Sequence, residues 1–233
     1  MSRDMRNALL LGLVLALVGV GGCQQYAKIT WDPPEPPEGK PQVKTPLAVG
    51  ELAAWNRKGG VWDKDPGDSV IGKHTLTIFA IPVGSLSADK TTPVQPSFRQ
   101  AVRDGLEAAG YELVPAAEAP PGSPVLRGEI RACWWWSYTW LWPCVVQGGE
   151  NKVNLILEDA AGKELWREEI SRIEPGVAAG GSYGFDLMIK WSMTKLVQDI
   201  VDKCSSEEFA ALATKGAVHA AKAAKPGPET VSP

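Results

Sequence analysis

Apolar residues recur along this chain with two periods, and the periods divide it into elements. Thr75–Pro82 is short, apolar and bounded by turn-forming residues, which predicts a strand. Phe98, Val102, Leu106 and Ala109 recur every three or four positions, so Pro96–Ala109 predicts an amphipathic helix with Gly110 as its left-handed cap. Tyr111–Val114 and Val125–Trp136 predict a second and a third strand, separated by the breaker Pro120-Pro121-Gly122-Ser123. Within Asn151–Asp159, Val153, Leu155 and Leu157 alternate with polar partners, the pattern of a half-buried strand. Asp159-Ala160-Ala161-Gly162 predicts a hairpin turn, and Leu165–Ile173 returns as a fifth strand. From Phe185 to Cys204 the apolar residues follow helical spacing and predict a long helix with one buried face. Ser205 and Glu208 ahead of Phe209 fit a capping box, which predicts a further helix to about Ala224 before a tail.

The order is strand, helix, four successive strands, helix. It predicts an α+β domain over residues 74–204, a mainly antiparallel sheet of about five strands covered by two helices. Ahead of it, Thr30–Pro46 holds six prolines in seventeen residues, which excludes a helix or a sheet interior. Residues 23–46 therefore read as a disordered, extended tether. At about 3.1 Å per residue Thr30–Pro46 would reach roughly 50 Å. Residues 47–73 read as irregular, and residues 205–233 as a helical segment and a disordered tail.

The amino terminus has its own pattern. Arg3 and Arg6 precede a thirteen-residue apolar run, Ala8–Val20, and then Gly21-Gly22-Cys23. A spanning helix needs about 17–25 residues, so residues 1–22 read as an export signal. Val20-Gly21-Gly22-Cys23 resembles the lipobox of bacterial lipoproteins, with Val where Leu is usual. The resemblance implies a diacylglyceryl thioether on Cys23, cleavage before it, and acylation of the new amino terminus. Several acyl chains together hold a protein stably on a bilayer. The competing reading is an ordinary secretory signal with a chance cysteine. Gln24 follows where enteric-type sorting places Asp for inner-membrane retention, so the resemblance implies the outer membrane.

Charge is close to balanced, 24 Lys+Arg against 27 Asp+Glu, which excludes the basic footprint of a nucleic-acid binder. Export places Cys133, Cys144 and Cys204 in an oxidising compartment. Three thiols allow one bridge. Cys133–Cys144 is favoured for its closeness in sequence, with Cys133–Cys204 and Cys144–Cys204 left open.

A strand, a helix ending in Gly110-Tyr111, a meander turning at Asp159-Ala160-Ala161-Gly162-Lys163-Glu164-Leu165-Trp166 and a closing helix resemble small outer-membrane lipoproteins of the YajG-like and LptE-like kind. The pattern is also similar to the amino-terminal domain type of TolB and to LpoB-like synthase activators. The resemblance covers about Thr75–Cys204. It implies an α+β fold, and these families include assembly factors, transport auxiliaries and enzyme activators, among which a fold does not choose.

Between Cys133 and Cys144 stand Trp134, Trp135, Trp136, Tyr138, Trp140 and Trp142, half of the ten tryptophans of the chain among them. If Cys133 faced Cys144, Trp135 would face Trp142, and Ser137–Trp140 would form the loop of a clamped hairpin. Such a tip suits a bilayer interface, because indoles are apolar with a polar handle. It equally suits a protein or glycan partner, since Trp and Tyr dominate interface hot spots. The third reading packs the aromatics back over the sheet.

Signs of catalysis are few. Gly180-Gly181-Ser182-Tyr183-Gly184 has the letters of a nucleophile elbow, but Pro175-Gly176 separates it from the preceding strand and the only downstream histidine is His219. An N-cap role for Ser182 fits as well. Asp63 and Asp65 do not open a calcium loop, because Asp68 and His74 stand where Gly and Glu are required. With His74 and His219 the only histidines, few ligands remain for a metal, and no cofactor is expected. The expectation is a non-enzymatic envelope accessory protein held to the membrane by covalent lipid, facing the periplasm or cell surface, with an envelope protein or glycan as partner. The alternatives are a hydrolase using Ser182 and a small-molecule-binding lipoprotein.

Overall fold

A computed structural model of the chain describes residues 25–38, 45–53, 69–76, 81–141, 144–179 and 183–214. The strands are β1 (Gln25–Ala27), β2 (Thr45–Ala53), β3 (Val70–Leu76), β4 (Ile81–Ala88), β5 (Tyr111–Pro115), β6 (Val125–Leu141), β7 (Cys144–Glu158) and β8 (Glu164–Ala179). The helices are α1 (Val94–Ala108), α2 (Tyr183–Cys204) and α3, residues 207–214.

All eight strands join one sheet with the long β6 as its spine. One edge of β6 carries β7 along its whole length, antiparallel, and β8 continues antiparallel beyond it. The other edge is shared. β2 pairs parallel with the first half, Ala48 beside Val125, and β3 pairs parallel with the second half, Gly72 beside Trp135. β5 extends β2 in parallel, β4 extends β3 antiparallel, and β1 lies parallel on β4. The sheet is therefore mixed, with eight strands rather than about five in a mainly antiparallel array. The missing strands lay in the segments read as tether and irregular chain. The single strand expected over Thr75–Pro82 is two: β3 ends at Leu76 and β4 starts at Ile81.

Both long helices cover one face of the sheet. Phe98, Leu106, Phe185, Met193, Leu196 and Ile200 bury against Leu126, Ile130, Val153 and Leu155. α1 and α2 meet closely at Gly105, where a Cβ would lie 2.8 Å from the Ile200 side chain. A mid-helix glycine costs about 1 kcal/mol against alanine, and here that cost is offset by helix contact. Phe209 on α3 closes the core, edge-to-face with Tyr111 at 5.6 Å and with Trp166 at 4.7 Å. Ser206 rather than Ser205 caps α3, its hydroxyl accepting from the Phe209 N–H at 3.3 Å. Gly110 takes φ 98 and Gly162 φ 78, the left-handed positions that the cap and the turn require.

The proline-rich segment is not free of the body. Ala27 and Ile29 are in the core. Trp31 packs against it and donates its indole N–H to Asp104 at 2.9 Å. The backbone N–H groups of Asp32 and Glu35 donate to Thr194 and Gln198 on α2. An extended, proline-rich chain has spare donors and no sheet of its own, and helix side chains satisfy them here.

Candidate functional site

Trp, Tyr and Thr are strong strand formers, and the Trp-rich segment is strand up to Leu141. β6 and β7 form one long hairpin in which Leu141 pairs with Cys144. Cys133 pairs with Asn151, Trp134 with Glu150, Trp135 with Gly149, Trp136 with Gly148 and Tyr138 with Val146. The loop over Ser137–Trp140 and the pairing of Trp135 with Trp142 are thus replaced. Trp142 and Pro143 lie outside the described residues, and the side chain of Trp140 is not described.

This register excludes the Cys133–Cys144 bridge. Asn151, the partner of Cys133, is seven residues from Cys144, roughly 24 Å along a strand, whereas a disulfide spans Cα atoms about 4.4–6.8 Å apart. Cys133 is a buried free thiol, and so is Cys204, so neither of the other two pairings forms. Burial pushes the Cys133 thiol up to about 12, partly offset by the nearby Trp135 N–H, and burial raises Cys204 as well.

Period two then divides the aromatic residues between the faces of the sheet. Cys133, Trp135 and Ser137 point under the helices and are buried. Trp135 is 0% exposed and is a core residue, which removes it from the set of contact residues. Its Nε1 has no acceptor in hydrogen-bond geometry; the adjacent Cys133 sulfur is a weak substitute. Trp134, Trp136 and Tyr138 point to the opposite face, which no described helix covers. Trp134 and Trp136 are half-buried and Tyr138 is exposed. Lys73 lies over the Trp134 ring at 5.8 Å, and the Trp136 and Tyr138 rings stand 5.1 Å apart.

Gly148 and Gly149 hold the two indoles flat. A Cβ on Gly149 would stand 2.2 Å from the Trp135 ring, and a Cβ on Gly148 would stand 2.3 Å from the Trp136 ring. Adjacent glycines on one strand thus each accept an indole from the next strand, one on either face. Glycine within a strand marks such close approaches. In the sequence alone Gly148-Gly149 carries no such signal, because its meaning depends on which strand lies opposite.

The uncovered face is itself divided. Its lower half is a lattice of ion pairs: Arg127–Glu158 at 3.0 Å, Arg131–Glu129 at 2.6 Å, and Lys152 with Glu150 at 3.2 Å and Glu169 at 3.3 Å. Burial works against the charge on Lys152, but those two carboxylates outweigh it and raise its pKa. The upper half, toward the hairpin tip, carries Trp134, Trp136, Tyr138, Val146 and Ile173, the last 69% exposed. On α2, beside the upper end of β8, Leu187 and Trp191 are also exposed, with Lys195 over the Trp191 ring at 5.0 Å.

The other candidates give less. Ser182 and His219 lie outside the described residues, as does Cys23. No cluster of three potential metal ligands occurs among the described residues. A cavity lined by Val49, Leu52, Val102, Leu126 and Leu155 has a volume of about 10 Å³, space for a single water at most. No described helix is long and apolar enough to cross a membrane.

The sequence matches no family model and no curated protein. Solved structures do resemble the fold. A Xanthomonas campestris protein of the DUF330 family superposes with a TM-score of 0.51 at 10% identity, over 84% of this chain and 99% of its own. A minor lipoprotein of Acinetobacter baumannii gives 0.35 at 14% identity, over 48% of this chain and 87% of its own. A lipoprotein of Neisseria meningitidis gives 0.30 at 14% identity, over 69% and 99%. The first likeness establishes a shared fold and nothing about activity. The likeness does not single out the YajG-like or the LptE-like kind.

Proposed function

We propose that this chain is a non-enzymatic, lipid-anchored accessory lipoprotein of the bacterial envelope. Its lipid is carried on Cys23 at the outer membrane, and it acts through contacts made by the hairpin end of its sheet. The observation that carries the reading is a division of labour on a single sheet face. The lower half pairs its charges internally, while the upper half leaves Tyr138, Val146 and Ile173 exposed. Isolated exposed apolar residues are ordinary, but a contiguous cluster marks an interaction surface. Trp134, Trp136, Tyr138, Trp140 and Trp142 are the contact residues in this reading, and Trp135 supports them from the core. The partner is an envelope protein, a glycan or the membrane itself.

Two measurements test the proposal. Cells fed a radiolabelled fatty acid should label the wild-type protein and not Cys23→Ser, with the label in the outer-membrane fraction. A triple variant Trp136→Ser, Tyr138→Ser and Ile173→Ser should keep its fold yet lose whatever membrane or partner association the wild type shows. Equal labelling of wild type and Cys23→Ser removes the anchor, and undiminished association of the triple variant removes the surface.

A further inference from the structure

The sheet face that no described helix covers carries a platform of aromatic rings with charged groups beside it. Trp136 lies flat there. A Cβ on Gly148 would stand 2.3 Å, 2.7 Å and 2.8 Å from three atoms of the six-membered part of the indole, so the inner side of the ring covers bare glycine backbone. Its outer side is turned away from the sheet. Tyr138 follows two residues along the same strand. It is 40% exposed, and its ring centroid lies 5.1 Å from that of Trp136 with a tilt of 46°. Two residues before Trp136, the ring of Trp134 has the Lys73 ammonium over it at 5.8 Å, and Glu150 stands opposite Trp134 in register. The Lys152 ammonium and the Ser171 hydroxyl both donate to Oε1 of Glu150, at 3.2 Å and 3.4 Å, which fixes that carboxylate beside the rings.

The size and the chemistry of this patch select among its partners. It is three strands wide and extends from Trp134 to Tyr138 along β6, which gives it roughly 250 Å². Each side of a stable protein pair buries roughly 800 Å², so the patch alone is too small to hold a second copy of the chain or another folded protein. A bilayer would take up the rings only together with Lys73, Glu150 and Lys152, and charge is costly where rings enter hydrocarbon. A sugar chain needs little area and uses both kinds of group. The face of an aromatic ring is the negative side of its quadrupole. The C–H groups on the flat side of a pyranose are weakly positive and lie well against it. The hydroxyls at the rim of the sugar donate to a carboxylate and accept from an ammonium.

We infer that this face of the hairpin binds a linear glycan, with a pyranose ring stacked on Trp136 and Tyr138 and its hydroxyls held by Lys73 and Glu150. These two charged residues come from the strands on either side of β6, so they flank the row of rings. The inference rests on the reading of this face as the contact surface, and it names carbohydrate as the partner. Gly148 is then a positioning residue. It touches no sugar, and its missing side chain is what lets the Trp136 ring lie flat.

The test titrates the full chain with two probes, the β-1,4-linked tetramer of N-acetylglucosamine and glycan strands released from cell walls by an amidase. Calorimetry and indole emission follow the binding. The wild type should bind at least one probe saturably. Trp136→Ala should weaken binding about tenfold, the upper end of what a stacked aromatic contact is worth, while Trp136→Tyr keeps a ring and should lose about threefold or less. Gly148→Ala lifts the ring without removing a contacting group and should also weaken binding about threefold or more, with a circular-dichroism spectrum like that of the wild type. It carries the test if Trp136→Ala fails to fold. No binding of either probe, or equal affinity in wild type, Gly148→Ala and Trp136→Ala, overturns the inference. So does a chain that binds neither probe but floats with vesicles of phosphatidylethanolamine and phosphatidylglycerol, or dimerises in sedimentation, and loses this in the triple variant Trp136→Ser, Tyr138→Ser and Ile173→Ser. The contact surface then stands with a different partner. A folded triple variant that keeps every association of the wild type, glycan included, removes the surface and the inference with it.

Discussion

Replacing Gly149 by alanine tests the placement of the indoles most directly. The new methyl group would stand 2.2 Å from Cε3 and 2.3 Å from Cδ2 of Trp135. Real carbon contacts lie at about 3.5–4.0 Å, so one partner must move by more than an ångström. Trp135 cannot swing away, because it is fully buried. Overpacking of this kind costs about 1–3 kcal/mol. Relief of glycine's entropy cost in a strand returns about 0.5–1 kcal/mol. The net expectation is a loss of about 1–2 kcal/mol. With a urea slope of about 2 kcal/mol/M, the midpoint falls by roughly 0.5–1 M. Gly148→Ala meets Trp136 at a similar distance, but Trp136 lies on the uncovered face and can tilt toward solvent. Its expected effect is within about 0.5 kcal/mol. The assay is urea unfolding followed by circular dichroism, extended to a double-mutant cycle with Trp135→Leu. In the Leu background Gly149→Ala should cost little, because the ring that it strikes is gone. Equal midpoints for the two glycine variants, or an unchanged cost in the Leu background, would refute the assignment of Trp135 to the core and Trp136 to the open face.

The buried thiols give a second set of expectations. Cys133 and Cys204 should resist a water-soluble maleimide in the native protein and react fully in denaturant; native labelling of either would contradict their burial. Because burial raises Cys133 from 9.0 to about 12, the folded state holds its proton more tightly than the unfolded chain. The contribution of this thiol is fully present below about pH 9 and declines as pH rises from there toward 12, at up to about 1.4 kcal/mol per pH unit. Urea midpoints at pH 8, 9 and 10 should fall in that order, and Cys133→Ala should lessen the fall, with the buried Cys204 carrying the remainder. Trp31→Phe keeps an aromatic ring beside the core but loses the hydrogen bond to Asp104, worth about 1.5 kcal/mol with a charged acceptor. Amide exchange at Ile29, Asp32 and Glu35, whose N–H groups bond Thr92, Thr194 and Gln198, should quicken about tenfold while global stability moves less. Unchanged exchange would mean that the segment is held without Trp31.

The sequence by itself determined the local elements. α1 and α2 lie within two residues of the ends read from helical spacing, because one buried stripe per helix writes its own period. Gly110 and Gly162 were legible as left-handed positions, and the Asp159–Gly162 turn set β7 against β8, since a short hairpin allows few registers. The mixed order of the sheet was not legible. β1, β2 and β3 are short or interrupted, lie in proline- and glycine-rich chain, and pair with β4, β5 and β6 in arrangements that no local turn specifies. The hairpin register was misread for a related reason. Two cysteines suggested one pairing, whereas Gly148 and Gly149 under Trp136 and Trp135 impose another, and steric fit between strands is a property of the pair. That register decided which indoles lie in the core, which remain open, and that neither buried thiol is bridged. The docking of Ala27 and Ile29 decided the rest: a proline count alone implies a long free spacer, and only tertiary packing puts these two residues in the core.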